Sequence, residues 1–457
     1  MPKVLLVPYS FYPDPVGGAE IYVAALAREL VGIGIQVLIA ATGTTAGSYV
    51  HNGLRVIRFT SGRETSDVSS NYGDGLECAT AELLKIVESE SVDIVHVHII
   101  TAAVSYKFIA ACRSRGIPVV FTSHAAANGC ARSTLLRWGT EICDAKYDRR
   151  KCAACLANSR GLPRPVAALV GWLPPVVGRV IGRMGLRGKI WTALRMPELV
   201  ALQQATFLRL LQTVDQIVTV SAWQKKVLVL NGTPGESVFV SRQAVAQVTD
   251  GPHNLRSAGI GADDQPVRIA FFGRLVPIKG IDILLSAFGA LDGEQIVLDV
   301  YGSPSNDAAP EYAESIRARV AASANVRIRP SVPADEILQV ISRYDAVAMP
   351  SQICEAAPLV ITEAFAVGVP VIGSRLGGIA EMVRDNVDGL LVDPFSVSAW
   401  VETFRRVACE RGLLDRLRSG VIPPRTMKDV AMEMSAIYGR LGRRGNVTIQ
   451  DESGVSA

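Results

Sequence analysis

The sequence predicts an α/β protein with two parallel-sheet domains that face each other across a cleft. Its 457 residues exceed what one hydrophobic core usually serves, so two domains are expected. In both halves, short apolar runs alternate with amphipathic helical patterns, which is typical of parallel sheets joined by helices. A polar, glycine-containing segment at 248–266 separates the halves and is predicted to be a linker.

The N-terminal domain is predicted to span residues 1–247. Apolar runs predict strands at 4–7, 37–40, 54–59, 94–99, 119–122, 216–220 and 238–241, and amphipathic patterns predict helices at 19–30, 76–89, 105–115 and from 222. Between about 125 and 211 the alternation stops. We predict an insertion there, with clustered cysteines followed by a section rich in Pro and Arg.

The C-terminal domain is predicted to span residues 267–425, followed by a C-terminal helix at 426–444 and a flexible tail at 445–457. The same patterns predict strands at 268–272, 296–301, 326–328, 346–349, 369–373 and 389–392, and helices at 281–291, 312–323, 334–343, near 379–384 and at 427–441. Open α/β sheets bind ligands at the carboxyl ends of their strands. The predicted site therefore lies in the cleft between the domains.

Composition narrows the class of protein. The net charge of +4 is too mild for non-specific nucleic-acid binding as the main role. The first residues reach Pro and Asp too early for a signal peptide, and no run approaches the ~20 apolar residues of a membrane span. Eight cysteines without export indicate a reducing compartment. We expect a cytoplasmic protein with no nucleic-acid partner.

The segment 345–365 carries the most specific pattern in the chain. A short apolar strand breaks at Pro350 and restarts as a helix whose first turn holds Pro358, with Glu355 in the loop and Glu363 on the second turn. No capping side chain precedes this helix start, so its free N–H groups and positive dipole end suit a phosphate. The two carboxylates would accept hydrogen bonds from hydroxyls on either side, which describes a nucleotide sugar.

An alternative interpretation makes Glu355 a solvated loop acid and Glu363 a surface charge on the helix. Against it stands the apolar flank at 364–372, which predicts a largely buried helix–loop–strand unit. A buried acid needs a partner.

Glycines and histidines mark strand ends in the first half. Gly17 and Gly18 lie between the first strand and helix, where the backbone approaches a ligand closely, although a turn needs glycine too. There is no G-x-G-x-x-G, so a dinucleotide dehydrogenase loses support. His124 directly follows a strand, which places it in the cleft. His96 and His98 share one face of a strand, His96 as a buried structural residue and His98 nearer the cleft.

Two cations flank the turn after the strand at 268–272. Arg274 and Lys279 stand beside glycines at this strand end and fit a clamp for a diphosphate. The alternative is an exposed loop with ordinary charges.

Four cysteines fall close together and suit a structural metal. Cys130, Cys143, Cys152 and Cys155 would satisfy a tetrahedral Zn²⁺ site or an iron–sulfur cluster. Four thiolates leave no open coordination position, so the metal would hold a loop in place. No cofactor is expected for catalysis.

The stretch 160–195 is basic and apolar. It contains no acid, and Trp172 and Trp191 add apolar surface. Arg179, Arg183 and Arg187 recur every four residues, which predicts a basic helical stripe. Such a surface suits adsorption to an anionic membrane leaflet. The alternative is a flexible basic insertion with no lipid role.

Taken together, these residues resemble the retaining glycosyltransferases of the two-Rossmann-domain (GT-B) type, in the large family often called family four. The most specific match is the E-x7-E pattern from Glu355 to Glu363, within PSQICEAAPLVITEAFAVGVPVIGSRLGGIAEMV. The resemblance implies a transferase that uses a UDP- or GDP-sugar and a saccharide or lipid-linked acceptor, in surface polysaccharide or glycolipid assembly. It also implies two Rossmann-like domains, with the C-terminal helix crossing back to the N-terminal one.

The resemblance assigns roles to individual residues. It implies that Glu363 binds the donor ribose and Glu355 the sugar. The other predicted donor-binding residues are Gly17, Gly18, Arg274, Lys279, Pro358, Leu359 and Val360. The predicted catalytic residues are Glu355, Lys279, Arg274 and His124, the last as the strand-end histidine that faces the donor sugar. A nucleotide-sugar epimerase of the same shape and a non-catalytic nucleotide-sugar-binding adaptor remain alternatives, the latter because Ala125 stands where many members have Asp.

Overall fold

The computed structural model describes residues 2–62, 68–73, 75–125, 129–247, 265–291, 293–302, 310–410 and 412–447. The chain forms two compact units, residues 1–242 with 427–457 and residues 243–426. The predicted linker at 248–266 lies outside the described residues except for its last two, and the predicted tail at 445–457 lies outside them except for 445–447. Those three residues belong to the final helix.

The first unit is built on an eight-stranded sheet with the order β10-β9-β6-β5-β1-β2-β4-β3. Its strands are β1 (Lys3–Val7), β2 (Gln36–Thr42), β3 (Gly47–His51), β4 (Leu54–Phe59), β5 (Ile94–Val97), β6 (Val119–Ser123), β9 (Gln216–Thr219) and β10 (Val238–Val240); β7 (Leu136–Arg137) and β8 (Glu141–Ile142) pair separately. All pairs in the large sheet are parallel except β3 with β4. The edge strand β3 is not predicted, because its half-exposed residues lack an apolar run.

Helices cover this sheet and fill the insertion. They are α1 (Gly18–Gly32), α2 (Glu77–Ser89), α3 (Tyr106–Ser114), α4 (Arg149–Ser159), α5 (Arg164–Trp172), α6 (Pro175–Arg183), α7 (Lys189–Leu194), α8 (Met196–Thr213) and α9 (Ala222–Leu230), with short 3₁₀ turns at Val68–Asn71 and Gly235–Ser237. The insertion is thus mainly helical. Prolines stand in the first turns of α5, α6 and α8, where a helix tolerates them.

The predicted basic helical stripe is wrong for one of its three arginines, which does not lie on the same helix as the other two. Helix α6 ends at Arg183, and Gly185 adopts a left-handed φ of +65° just beyond it. Arg179 and Arg183 therefore share a helix, whereas Arg187 follows the break. Within the described residues no single helix is long and apolar enough to cross a membrane; α5 and α6, bent by 90°, pass that test only as a pair.

The second unit is built on a six-stranded, wholly parallel sheet with the order β13-β12-β11-β14-β15-β16. Its strands are β11 (Val267–Phe272), β12 (Ile296–Tyr301), β13 (Val326–Arg329), β14 (Ala346–Met349), β15 (Val371–Ser374) and β16 (Gly389–Val392). Its helices are α10 (Ile281–Gly289), α11 (Pro310–Ala321), α12 (Ile337–Ile341), α13 (Leu359–Ala366), α14 (Gly377–Met382), α15 (Val397–Cys409) and α16 (Leu413–Gly420), with a 3₁₀ turn at Pro277–Lys279. Of these, α15 and α16 are additions to the predicted elements.

The predicted domain limits differ slightly from the observed ones. Backbone N–H of Val245 donates to the carbonyl of Arg425 at 3.0 Å, and Val245 bridges Thr426. This pairing joins residues 243–247 to the second unit.

The last helix, α17 (Met427–Val447), belongs to the first unit. Its Tyr438 is fully buried, and the hydroxyl lies 2.6 Å from Nδ1 of His96, on β5. The α/β fold with two parallel-sheet domains and a returning C-terminal helix is confirmed.

Candidate active site

Three loops come together at the carboxyl edge of the second sheet. They follow β11, β14 and β15, which are neighbours in that sheet. Gly280 has a left-handed φ of +76°, and a Cβ there would stand 1.9 Å from the carbonyl oxygen of Pro350. The N–H of Gly378 donates to the carbonyl of Glu355 at 2.8 Å. Glycine at these positions lets the loops pack backbone to backbone, which fixes the side chains they carry.

An ion pair joins the first two loops. Lys279 Nζ lies 2.6 Å from Glu355 Oε1, and Ser351 Oγ donates to the same oxygen at 2.8 Å. The Lys279 and Glu355 side chains are only 21% and 16% exposed. The ammonium is therefore held in place at a partly buried strand end, where an anionic ligand would find a fixed positive charge.

The start of helix α13 lies on the same edge. Pro358 has φ −63° and ψ 129°, so it is the N-cap and the helix begins at Leu359, one residue later than predicted. As predicted, no side chain caps this end. The leading N–H groups, on Leu359 and Val360, precede any intrahelical acceptor and suit an anion.

Glu363 is buried on α13, with 5% of its surface exposed. Its Oε1 accepts a hydrogen bond at 3.1 Å from Nε2 of Gln247, which also donates to the carbonyl of Ala334 at 3.0 Å. Burial raises the pKa of Glu363 to about 7, and the bond from Gln247 opposes this shift. The alternative of a surface charge is wrong for this residue. The partner, Gln247, is not predicted by the sequence, where it borders the linker.

Arg274 lines an open pocket at the same edge of the second sheet. The pocket has a cavity volume of about 190 Å³ and forms where β11 and β12 end. Phe272 and Tyr301 stack in it with ring centroids 4.7 Å apart and planes 8° apart, and Ser331 lines the far side. An exposed guanidinium beside two parallel aromatic rings suits a ligand that has both a flat ring and phosphate.

The paired glycines of the first unit begin helix α1. Gly17 is the N-cap, and its N–H donates to Oε2 of Glu20 at 2.9 Å. A Cβ at Gly17 would stand 3.1 Å from that oxygen, so the turn is tight. Gly18 is the first residue of the helix. Their implied contact with a ligand stays a prediction.

Three histidines cluster at the ends of β5 and β6. His98 Nδ1 lies 3.0 Å from His124 Nε2, and His96 lies between the hydroxyls of Tyr438 and Thr122, at 2.6 and 2.7 Å. Burial lowers the pKa of His96 to about 3 and that of His124 to about 4, and it places the pKa of His98 well below its ordinary value. All three imidazoles are neutral near pH 7. His98 is buried, with 1% of its surface exposed.

The cysteine cluster shows no assembled metal site. Within the described residues, no group of three or more His, Cys, Asp or Glu side chains is arranged to hold a metal ion. The sulfur of Cys155 accepts a hydrogen bond from the N–H of Trp138 at 3.3 Å. Burial raises the pKa of Cys152 to about 11. The site at Cys130, Cys143, Cys152 and Cys155 stays a prediction, which metal analysis of the purified protein would test.

Two family models match the chain and together span more than half of it. The model described as "Glycosyl transferases group 1" matches residues 256–420. The model described as "Glycosyl transferase 4-like domain" matches residues 17–183. The first match contains the Lys279–Glu355 pair and helix α13, and the second contains Gly18 and the histidine cluster.

Curated relatives share parts of the sequence. A D-inositol 3-phosphate glycosyltransferase of Mycobacterium sp. (strain KMS) is 33% identical over 192 residues, which are 42% of this chain and 40% of that protein. A D-inositol 3-phosphate glycosyltransferase of Streptomyces bingchenggensis is 37% identical over 158 residues, 33% of this chain and 34% of that protein. The chain thus spans about two fifths or less of the length of these relatives.

Solved structures share the fold over nearly the whole chain. Sucrose-phosphate synthase from Thermosynechococcus elongatus superposes with a TM-score of 0.63 at 16% identity, over 96% of this chain and 99% of that one. HepE from Anabaena, in complex with UDP and glucose, superposes with a TM-score of 0.61 at 14% identity, over 96% and 100%. At such identities the likeness establishes the two-domain GT-B fold.

Proposed function

We propose, on the premise that the chain belongs to the group 1 family of GT-B glycosyltransferases, that it moves a sugar from a nucleotide sugar to a saccharide or lipid-linked acceptor. The observation that carries the proposal is the edge of the second sheet. There a fixed ammonium on Lys279, an uncapped helix start at Leu359 and a buried carboxylate on Glu363 follow neighbouring strands. These are the groups that a sugar diphosphate linked to ribose requires.

Each part of the donor has a complementary group. The helix start and Lys279 neutralise the diphosphate, with Arg274 on the side of the aromatic pocket that takes the base. Glu363 accepts hydrogen bonds from the ribose hydroxyls, through the carboxylate that also accepts from Gln247 Nε2. The donor base is uracil or guanine, and Glu355 faces the sugar.

The reaction retains the anomeric configuration. The bond between the anomeric carbon and the diphosphate oxygen breaks, and the acceptor oxygen bonds to that carbon on the same face. The acceptor proton passes to the departing diphosphate oxygen, so no protein base is needed. Charge grows on the diphosphate as it leaves, and Lys279 and the α13 N-terminus stabilise that charge most where it is largest.

A donor screen tests the proposal. Purified protein is given each UDP- and GDP-sugar with and without simple saccharides, and release of UDP or GDP is followed. We expect acceptor-dependent release from one donor class, and NMR of the product should show the donor's anomeric configuration. Interconversion of the sugar without any acceptor would identify an epimerase. Donor binding without release would identify an adaptor.

We also propose that helices α5–α7 hold the protein on the cytoplasmic face of a membrane, where a lipid-linked acceptor of surface polysaccharide or glycolipid assembly resides. These helices and the turns between them expose a set of large apolar side chains: Val166, Leu169, Trp172, Val176, Val180, Met184, Ile190 and Trp191. Exposed cations at Arg179, Arg183 and Lys189 accompany them, and 160–195 contains no acid. Exposed apolar side chains together with cations match an anionic lipid interface.

A double variant, Leu169→Glu with Ile190→Glu, should bind vesicles of anionic lipid about tenfold more weakly. Leu169 and Ile190 are 72% and 73% exposed and would no longer bury apolar surface in the lipid, and the new carboxylates would be repelled by the anionic headgroups. Vesicle co-sedimentation measures the change. The control is Val50→Glu, at a side chain 69% exposed on β3. Binding that is the same for both variants would refute the membrane role.

A further inference from the structure

The contact between His98 and His124 fixes where one proton lies. His98 directly follows β5 and His124 directly follows β6, two neighbouring parallel strands. Their facing nitrogens, His98 Nδ1 and His124 Nε2, are 3.0 Å apart, which is hydrogen-bond distance. Two neutral imidazoles in contact share a single proton between them, so the tautomer of each ring determines that of the other.

The surroundings hold His98 rigidly. Its ring lies on that of His96, with centroids 4.1 Å apart, and His96 is itself held at both nitrogens by Tyr438 and Thr122. His98 is 1% exposed. Its other nitrogen, Nε2, is buried and has no hydrogen-bond partner within the described part of the chain.

The unpartnered Nε2 of His98 discriminates between the two possible positions of the shared proton, on His98 Nδ1 or on His124 Nε2. If His124 carried the shared proton on Nε2, His98 would carry its own on its buried Nε2, as a donor without an acceptor. If His98 carries the shared proton on Nδ1, its Nε2 is a bare acceptor. Among buried backbone groups, orphaned N–H donors are rarer than under-satisfied acceptors. The same preference for an unpaired acceptor over an unpaired donor indicates that His98 donates from Nδ1. His124 then carries its own proton on Nδ1.

We propose that His98 is a positioning residue that fixes His124 in the Nδ1–H tautomer, so that His124 offers a hydrogen-bond donor to a hydroxyl oxygen of a sugar substrate. His124 is partly exposed, and its Nδ1 has no partner among the described residues. The contact with the sugar rests on the proposed function, whereas the tautomer does not. An edge-on contact with the ring of Tyr22, at a centroid distance of 4.6 Å, helps to set the orientation of His124.

The tautomer is measured directly by NMR of the whole protein labelled with ¹⁵N-histidine, without substrate. We expect His124 to show a protonated Nδ1 and a bare Nε2, and His98 the same. His124→Gln and His98→Asn variants assign the signals. A protonated Nε2 on His124 would overturn the proposal, even in a protein that transfers no sugar.

Kinetics separate positioning from packing. In His98→Asn the amide group lies where Nδ1 was and still donates to His124, so kcat should stay within about threefold. In His98→Phe the ring remains but the donor is lost, and kcat should fall about tenfold to a hundredfold with the donor KM little changed. His51→Phe, at a histidine stacked on Tyr12, is the matched control. Equal losses in both His98 variants at equal thermal stability would contradict the proposal.

Discussion

A Glu363→Gln variant should unfold at a higher urea concentration than the parent protein at pH 8, and at nearly the same concentration at pH 4. Burial raises the pKa of Glu363 from 4.5 to about 7, so the folded state binds its proton more tightly than the unfolded chain does. The stability from the protonated carboxyl is complete below pH 4.5 and is lost as the pH rises through 7. The difference of about 2.5 pKa units corresponds to about 3 kcal/mol at pH 8, which glutamine avoids.

The same substitution should abolish tight donor binding, because an amide accepts hydrogen bonds from ribose more weakly than a carboxylate does. Urea unfolding at pH 4, 6 and 8, together with calorimetric titration of UDP and GDP, measures both effects. Glu314→Gln, in an exposed pair with Arg317 on α11, is the control. If the variant and parent curves stay parallel between pH 4 and 8, Glu363 is not an acid that burial destabilises.

Lys279→Ala should lower kcat/KM by about a hundredfold to a thousandfold, the range found when one fixed group that stabilises transition-state charge is removed. Lys279 is held 2.6 Å from Glu355, so its ammonium needs no reorganisation as charge grows on the leaving diphosphate. The loss should appear in kcat as well as in the donor KM. Initial rates over a range of donor concentrations measure both.

Arg274→Ala should act in the same direction, and Lys107→Ala serves as the control because Lys107 pairs with an exposed Glu77 in the first unit. Transfer that remains within about threefold of the parent rate, under about 1 kcal/mol of lost transition-state stabilisation, would remove the substituted cation from the mechanism.

Most of the second sheet and the position of its candidate site follow from local sequence. Strand β14 and the start of α13 differ from prediction by no more than one residue, because an apolar run, a proline and a burial pattern all act within twenty residues. The burial of Glu363 was also predictable, since the residues after it are apolar.

Features that depend on distant residues could not be predicted in this way. Gln247 contacts Glu363 across 116 positions of the chain, and Tyr438 contacts His96 across 342. Neither pair has a local pattern. Helices α5, α6 and α7 of the insertion were missed for another reason, because each has nine residues or fewer, which is too short for a helical period to be visible.

The return of α17 to the first unit has a consequence for synthesis. Tyr438 is the group that meets Nδ1 of His96 inside the first unit, and it is translated after the whole of the second unit. A nascent chain that ends at residue 242 would leave His96 without its hydrogen bond to the Tyr438 hydroxyl. It would also expose to water the face of α1 against which α17 packs. Residues 243–426 emerge from the ribosome earlier than α17 and form a unit of their own. The second unit can therefore fold first, and the first unit is completed only by residues that follow the second unit in the chain.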